Sequence, residues 1–271
     1  MFVHLSHILD PGGPHWPSSP ALSMDQRKVL GEDGDSNDYI SHLPNHFGTH
    51  MDAPRHFVPD GVTFAELPAE RFNFDGDEIL LLDIPDKGTQ KSIVTIEDME
   101  PYLEDFEGIR MLLIRTGFER YRTENPEVYM SEGPCLDPDL CKWLATETRV
   151  QCVGFDWISV GAPWNDLGTE AHRQLLGYYR GNFITAIEDL SLEPVGDAWI
   201  DFITLGPLRI KGIDSSQVSV TAFLNDFDLF DDGDDNDDHL RDDLGEAPEE
   251  ASFDRVVDTQ DAPKPAAEDE P

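Results

Sequence analysis

Short apolar runs, bounded by charged or turn-forming residues, recur along most of the chain. The runs at residues 78–83, 110–115 and 150–155 are dominated by apolar residues, a pattern typical of buried strands. Apolar and polar positions alternate from Phe2 to Ile8, which predicts a first strand. Later runs at 182–187, 198–203 and 218–222 are also typical of strands. The pattern therefore predicts seven or more short strands.

Signals for helix starts lie between these runs. Asp137-Pro138 is an N-cap residue followed by proline at the first helical position, and it predicts a helix to about Glu147. Thr95, through a capping box, and Thr169 predict the starts of two further helices. Residues 25–38 are polar and predict a loop. Because strands interleave with helices, the pattern indicates an α/β or mixed fold.

The negative charge of the chain argues against two classes of binding partner. Its 271 residues include 56 acidic and 19 basic ones, a formal net charge of −37. Nucleic acids and anionic membranes are bound through Lys and Arg, so we expect neither as a partner. We interpret the acidity as adaptation to a salt-rich cytosol, where ions screen self-repulsion; the alternative is an acidic protein from an ordinary cell. Unfolding in dilute buffer with recovery in molar KCl would support salt adaptation, and equal stability in both would contradict it.

The acidic residues are densest at the C-terminal end. Residues 226–271 contain 19 acidic and 3 basic residues, with too few apolar ones to form a core. We therefore predict a folded domain over residues 1–224 and an acidic, disordered tail over 225–271. Three cysteines without CxxC spacing favour reduced thiols. Since the sequence shows no signal-peptide pattern and no run of roughly 18 apolar residues, we expect a cytoplasmic, soluble protein.

Four potential metal ligands are concentrated within eleven residues of the chain. His46, His50, Asp52 and His56 stand in even register, so in an extended chain their side chains would project to the same face. Gly48 and Pro54 disfavour a regular helix through this stretch. Imidazole and carboxylate are ligands of Zn²⁺ and other first-row divalent metals. A single histidine is usually structural, but this cluster indicates a metal site.

A second segment is expected to complete such a site. His172 on the predicted helix and Glu188 after a β-rich run are the candidates. From the residues alone, a solvent-facing histidine and a surface carboxylate are the simpler interpretations. Trp16, in a proline-rich loop, is either a cap on the core or an aromatic wall of a substrate pocket.

These motifs together resemble a known family. The stretch His46-x-Gly-Thr-His50-x-Asp52-Ala-Pro-x-His56-Phe is similar to the signature of the cyclase-like metal hydrolases, which include bacterial kynurenine formamidase and isatin hydrolase. Trp16-Pro17 and Gly154-x-Asp156-x-x-Ser159 resemble further family motifs, as do the segments around His172 and Glu188. The resemblance covers about residues 1–222.

The resemblance implies a fold and a set of roles. The fold would consist of mixed, partly barrel-like β-sheets with outer helices, assembled as a homodimer or homotetramer. One or two ions per chain, Zn²⁺ or Mn²⁺, would be held by the metal ligands, His56 would be the catalytic acid/base, and Trp16 would line the substrate pocket. The metal ligands would be His46, His50, Asp52, His172 and Glu188.

We accordingly expect a metal-dependent hydrolase. It would cleave a C–N bond in a small aryl-formamide or cyclic amide, with metal-bound hydroxide as the nucleophile and a histidine that returns a proton to the leaving nitrogen. A metal-dependent cyclase or dehydratase is the alternative among enzymes, and a structural metal site without catalysis is the alternative outside them. A serine nucleophile is disfavoured, because the sequence contains no Gly-x-Ser-x-Gly motif.

Overall fold

The computed structural model describes residues 1–32 and 34–225. The predicted tail at 225–271 lies outside the described residues, apart from Asn225, which ends the last strand. No helix in the described residues is long and apolar enough to span a bilayer. The strands are β1 (Phe2–His4), β2 (Ser23–Lys28), β3 (Asp38–His42), β4 (His50–Asp52), β5 (Asn73–Asp75), β6 (Ile79–Asp83), β7 (Ile93–Val94), β8 (Met111–Arg115), β9 (Cys135–Leu136), β10 (Cys152–Phe155), β11 (Thr185–Glu188), β12 (Trp199–Pro207) and β13 (Ser215–Asn225). The α-helices are α1 (Tyr121–Glu124), α2 (Pro126–Ser131), α3 (Pro138–Glu147) and α4 (Gly168–Leu175).

One mixed sheet of nine strands organises the described residues. Its order is β5-β12-β13-β4-β11-β10-β8-β6, with β1 paired to β13. Strands β6, β8, β10 and β11 run parallel, whereas β4, β5, β12 and β13 pair antiparallel with their neighbours. The sheet is nearly closed and barrel-like, with helices beside it, which confirms the predicted class.

The central strand β8 shows why apolar and polar residues do not alternate in the apolar runs. Met111 and Leu113 point into one buried cluster, together with β12 and β13. Leu112 and Ile114 point into the other, where α3 and α4 pack. Both faces of the strand are therefore covered, and successive side chains are apolar on either side.

The observed helices match the helices predicted from the sequence in part. Helix α3 begins at Pro138 with the Asp137 side chain as its N-cap, as predicted. Helix α4 begins at Gly168, and Thr169 lies inside it, so the predicted cap at Thr169 is wrong. Thr95 does form the predicted capping box, but it opens two 3₁₀ segments, Ile96–Asp98 and Glu100–Phe106, in place of an α-helix.

Two strand predictions also need correction. Only Phe2–His4 of the predicted first strand has strand structure. The polar segment predicted as a loop, residues 25–38, contains most of β2 and the first residue of β3, which pair as an antiparallel hairpin. Every residue of both hairpin strands is exposed, so no face is selected to be apolar and hydrophobic alternation carries no signal there.

Candidate metal centre

Strand β4 lies at the middle of the site. It carries His50 and Asp52, and it is paired on one side with β11 and on the other with β13. The register places Glu188 of β11 directly opposite His50. Residues two apart on a strand and directly opposite across strands share a face of the sheet. The pairing therefore brings His50, Asp52 and Glu188 together, 138 residues apart in the chain at most.

The predicted single extended segment is wrong. Gly48 adopts a left-handed conformation with φ +63°, and Pro54 opens a 3₁₀ turn that ends at His56. His46 and His56 thus approach β4 from the turns on either side of it. Their ring centroids lie 4.3 Å apart. Strand alternation therefore places only His50 and Asp52 on one face, and turns bring His46 and His56 to the same point.

The second-segment residues are buried beside the first. His172 and Glu188 are 7% and 4% exposed, so the simpler interpretation of both as surface residues is wrong. His172 Nε2 lies 3.6 Å from Asp52 Oδ2 and 3.5 Å from Glu188 Oε1. His50 Nε2 lies 3.1 Å from Glu188 Oε2. The structure thus brings together all five predicted ligands and His56, while their roles stay predictions.

Each imidazole is held by one nitrogen and presents the other to the carboxylates. His50 Nδ1 contacts the Gly48 carbonyl at 2.8 Å, and His172 Nδ1 contacts the Gly168 carbonyl at 2.6 Å. His46 Nδ1 lies 3.2 Å from Asp52 Oδ1. An outer hydrogen bond on the second nitrogen is the usual arrangement of metal-binding histidine, because it fixes the tautomer and the orientation of the ring.

The electrostatics are those of a cation site. Burial alone would raise the pKa of Asp52, but the surrounding imidazoles, that of His172 first, lower it well below its usual range. Burial alone would lower the pKa of His46, but its contacts with Asp214 and Asp52 raise it to about 10. For His172, likewise, Asp52 and Glu188 overcome burial and raise the pKa to about 10. Two ionised carboxylates hold protons on the imidazoles around them.

Asp52 supplies the test of whether a metal fits. Both of its carboxylate oxygens are buried and accept no hydrogen bond. Buried polar atoms without a partner are rare and need an explanation. Two groups of three ligand atoms lie within 4.8 Å of one another, and both contain Asp52: one with His46 and His56, the other with His50 and Glu188. The donor set and the unsatisfied oxygens fit one or two divalent ions.

Two residues that support the site were not predicted as part of it. Ser159 donates to Glu188 Oε1 at 2.9 Å, beside the Val160 amide at 2.7 Å, so the motif Gly154-x-Asp156-x-x-Ser159 orients a candidate ligand. Asp214, just before β13, lies 3.2 Å from His46 Nε2 and 2.8 Å from His56 Nδ1. Asp214 belongs to no recognisable motif, and only the pairing of β13 with β4 brings it to the site.

A cavity of about 360 Å³ opens in front of these residues. Trp16 and Phe57 line it, and both also pack against the core, while the role of Trp16 as the wall of a substrate pocket stays a prediction. Among the described residues that line the cavity there is no Lys or Arg. The lining therefore combines aromatic side chains with neutral polar and acidic ones, among them Asn165 and Asp166.

Comparisons with known proteins agree with this geometry. The family model described as Putative cyclase matches residues 3–162. Kynurenine formamidase of Bacillus cereus is 29% identical over 223 residues, which cover 80% of this chain and 94% of the relative. An uncharacterised protein of Haemophilus influenzae is 46% identical over 107 residues, 40% of this chain and 72% of the relative. Isatin hydrolase A from Labrenzia aggregata superposes with a TM-score of 0.68 at 23% identity, covering 82% of this chain and 93% of the hydrolase.

Proposed function

This chain belongs to the putative cyclase family, and on that premise we propose that it is a metal-dependent hydrolase of a C–N bond in a small aryl-formamide or cyclic amide. Asp52 carries the proposal, because its two oxygens are buried, unsatisfied and surrounded by imidazoles. The names of the relatives, kynurenine formamidase and isatin hydrolase, support the type of bond.

The candidate ligands lie around Asp52. His46 and His50 would hold one ion together with Asp52, and His172 would hold a second together with Asp52, with Glu188 shared between the two. A divalent ion bound there supplies Lewis acidity, which acidifies water and polarises a carbonyl oxygen. Zn²⁺ and Mn²⁺ both suit a set of imidazoles and carboxylates.

His56 is the proposed acid/base. Its Nδ1 is engaged by Asp214, and its Nε2 lies 3.9 Å from Asp52 Oδ2, at the edge of the cavity. From that position it can take a proton from water and return it to the leaving nitrogen of an amide, which is a poor leaving group without protonation. Because an imidazole changes protonation near neutral pH, histidine suits both halves of this transfer.

The cavity supports a small planar substrate. Its 360 Å³ lie at the small end of the usual range for ligand sites. Trp16 and Phe57 offer aromatic faces, while Ile158 and Ala162 add apolar surface. Since no Lys or Arg from the described residues lines the wall, an uncharged aryl amide or lactam suits it better than an anionic substrate.

The test compares metal content with turnover. Protein purified in molar KCl without chelator should contain one or two equivalents of Zn²⁺ or Mn²⁺ and should hydrolyse formanilide or isatin. His56→Ala should keep the metal and lose turnover about 100- to 10,000-fold, because only the proton transfer is removed. His42→Ala, at an exposed histidine of the β2–β3 hairpin, is the matched control and should keep both.

Three results would contradict the proposal. Protein that neither contains a divalent metal nor takes one up on dialysis has no metal centre. Loaded protein that cleaves no aryl-formamide or lactam has the centre without the proposed activity. Loss of metal in His56→Ala would make His56 a ligand, which its place in the group with His46 and Asp52 allows geometrically.

A further inference from the structure

Asp214 joins two imidazoles of the site through a single oxygen. Its Oδ2 lies 2.8 Å from His56 Nδ1 and 3.2 Å from His46 Nε2. Its Oδ1 accepts from the Asn45 side-chain amide at 2.7 Å. Its backbone carbonyl accepts from the Ala53 amide at 3.0 Å, next to β4. The carboxylate is therefore fixed at both oxygens and at the main chain.

These contacts decide which nitrogen of each ring is free. A carboxylate only accepts hydrogen bonds, so the ring nitrogen that faces it must carry a hydrogen. In the neutral rings the lone pair then lies on His46 Nδ1 and on His56 Nε2. His46 Nδ1 faces Asp52 Oδ1 at 3.2 Å, so without a metal it carries a hydrogen as well; a metal held by Asp52 would replace that hydrogen and leave Nε2 protonated on Asp214. His56 Nε2 faces the cavity.

We infer that Asp214 is the positioning residue of this centre: one oxygen holds His46 for metal ligation through Nδ1 and holds His56 as a base through Nε2. The inference rests on the proposed hydrolase function. It assigns the two histidines to different tasks, although both contact the same carboxylate.

The other two imidazoles show what is special about this pair. His50 and His172 are oriented by main-chain carbonyls, those of Gly48 and Gly168, which carry no net charge. A carboxylate orients the ring and also stabilises the imidazolium that forms when a histidine accepts a proton. His56 is the one that needs this stabilisation, since a metal-bound ring stays neutral.

The kinetic test uses metal-loaded Asp214→Asn and Asp214→Ala. We expect kcat on formanilide or isatin to fall about 100-fold, with KM little changed, and with excess metal failing to restore kcat. Since Asp214 acts through His56, the double variant His56→Ala/Asp214→Ala should be no slower than His56→Ala alone. Asp60→Asn, at an exposed aspartate in the loop after His56, is the control and should keep the wild-type kcat.

The inference would be overturned by full recovery in excess metal, by unchanged kcat, or by losses that multiply in the double variant. A crystal structure of wild-type protein loaded with Mn²⁺ tests it without any variant: ligation through His46 Nδ1, with Nε2 on Asp214, is expected, and ligation through Nε2 would overturn it. That structure also separates the two hypotheses, because a protein that cleaves no amide but shows Nδ1 ligation has lost the proposed function alone.

Discussion

Two neighbouring carboxylates at the end of β11 have different surroundings. Glu188 and Asp189 are both buried, 4% and 2% exposed. Glu188 turns to the cavity and the imidazoles of His50 and His172. Asp189 has a left-handed backbone, φ 60°, and forms paired hydrogen bonds of 3.0 and 3.1 Å with the Arg122 guanidinium. The Tyr129 hydroxyl also donates to it.

The difference separates a carboxylate neutralised within the chain from one that is a candidate metal ligand. Asp189 is neutralised by a cation of the chain that keeps its charge at every physiological pH. In the described part of the chain, the ion-pair partners of Glu188 and Asp52 are imidazoles, whose charge depends on protonation. A buried carboxylate cluster without a permanent cation is available to a divalent ion, whereas one with a bidentate arginine is already neutralised.

The largest effect on stability is expected when Arg122, the cation paired with Asp189, is replaced. Arg122→Met leaves Asp189 buried without its cation, and removal of one partner of such a pair should lower the free energy of unfolding by about 3–5 kcal/mol. The metal content should stay at the wild-type level. Urea unfolding of the metal-loaded protein in molar KCl measures the first quantity, and elemental analysis measures the second.

The double variant Arg122→Met/Asp189→Asn is the matched control, since it removes both charges and should regain most of the loss. If Arg122→Met releases the metal while the protein stays folded, the two clusters are one unit and the comparison fails.

The second prediction concerns the number of protons released when a metal binds. The pKa values of His46 and His172 are raised to about 10 in the folded protein. Metal ligation requires neutral imidazole, so Zn²⁺ binding at pH 7 should release at least two protons per chain, because the neighbouring carboxylates also raise the pKa of His50. Calorimetry in buffers of different ionisation enthalpy measures the number. His172→Gln should release one fewer, and release of none would contradict the charge balance described for this cluster.

The same shifts determine how the metal-free protein responds to pH. Because the folded pKa values lie above those of the unfolded chain, their stabilisation is complete below pH 6.5 and is lost as the pH rises through about 10. We expect the metal-free protein to lose several kcal/mol across that window. Metal-loaded protein should show a smaller loss, and urea midpoints at pH 6 and 10 compare the two.

A role could be predicted from the sequence where the residue type itself indicates a chemical function. His46, His50 and Asp52 are recognisable as candidate ligands by residue type and spacing, and the strand β8 is recognisable because both its faces are apolar. The positions of these side chains in the fold could not be predicted in the same way. Gly48 and Pro54 turn the chain out of the single extended segment that the spacing predicts.

What could not be predicted depends on pairing between distant segments. Asp214 is one of many acidic residues, and it joins the site because Ser215, the next residue, pairs with Asp52 across β4 and β13. Arg122 and Asp189 are 67 residues apart and in no shared motif. The β2–β3 hairpin is missed for another reason: its side chains are all exposed, so burial imposes no pattern on its sequence.

The smallest effects are expected for variants at two positions, one at the cavity wall and one at the Asp189 cluster, and they test the two regions separately. Trp16→Ala removes an aromatic wall of the cavity, and KM for an aryl amide should rise about fivefold, near 1 kcal/mol, while Trp16→Phe keeps most of the binding. Tyr129→Phe removes one hydrogen bond to Asp189 and should lower the free energy of unfolding by about 1 kcal/mol with KM unchanged. Steady-state kinetics and urea unfolding of the three variants measure both quantities. Asp189 itself also lines the cavity, so a rise in KM for Tyr129→Phe would mean that its cluster contributes to substrate binding, and the division between the two carboxylates would then fail.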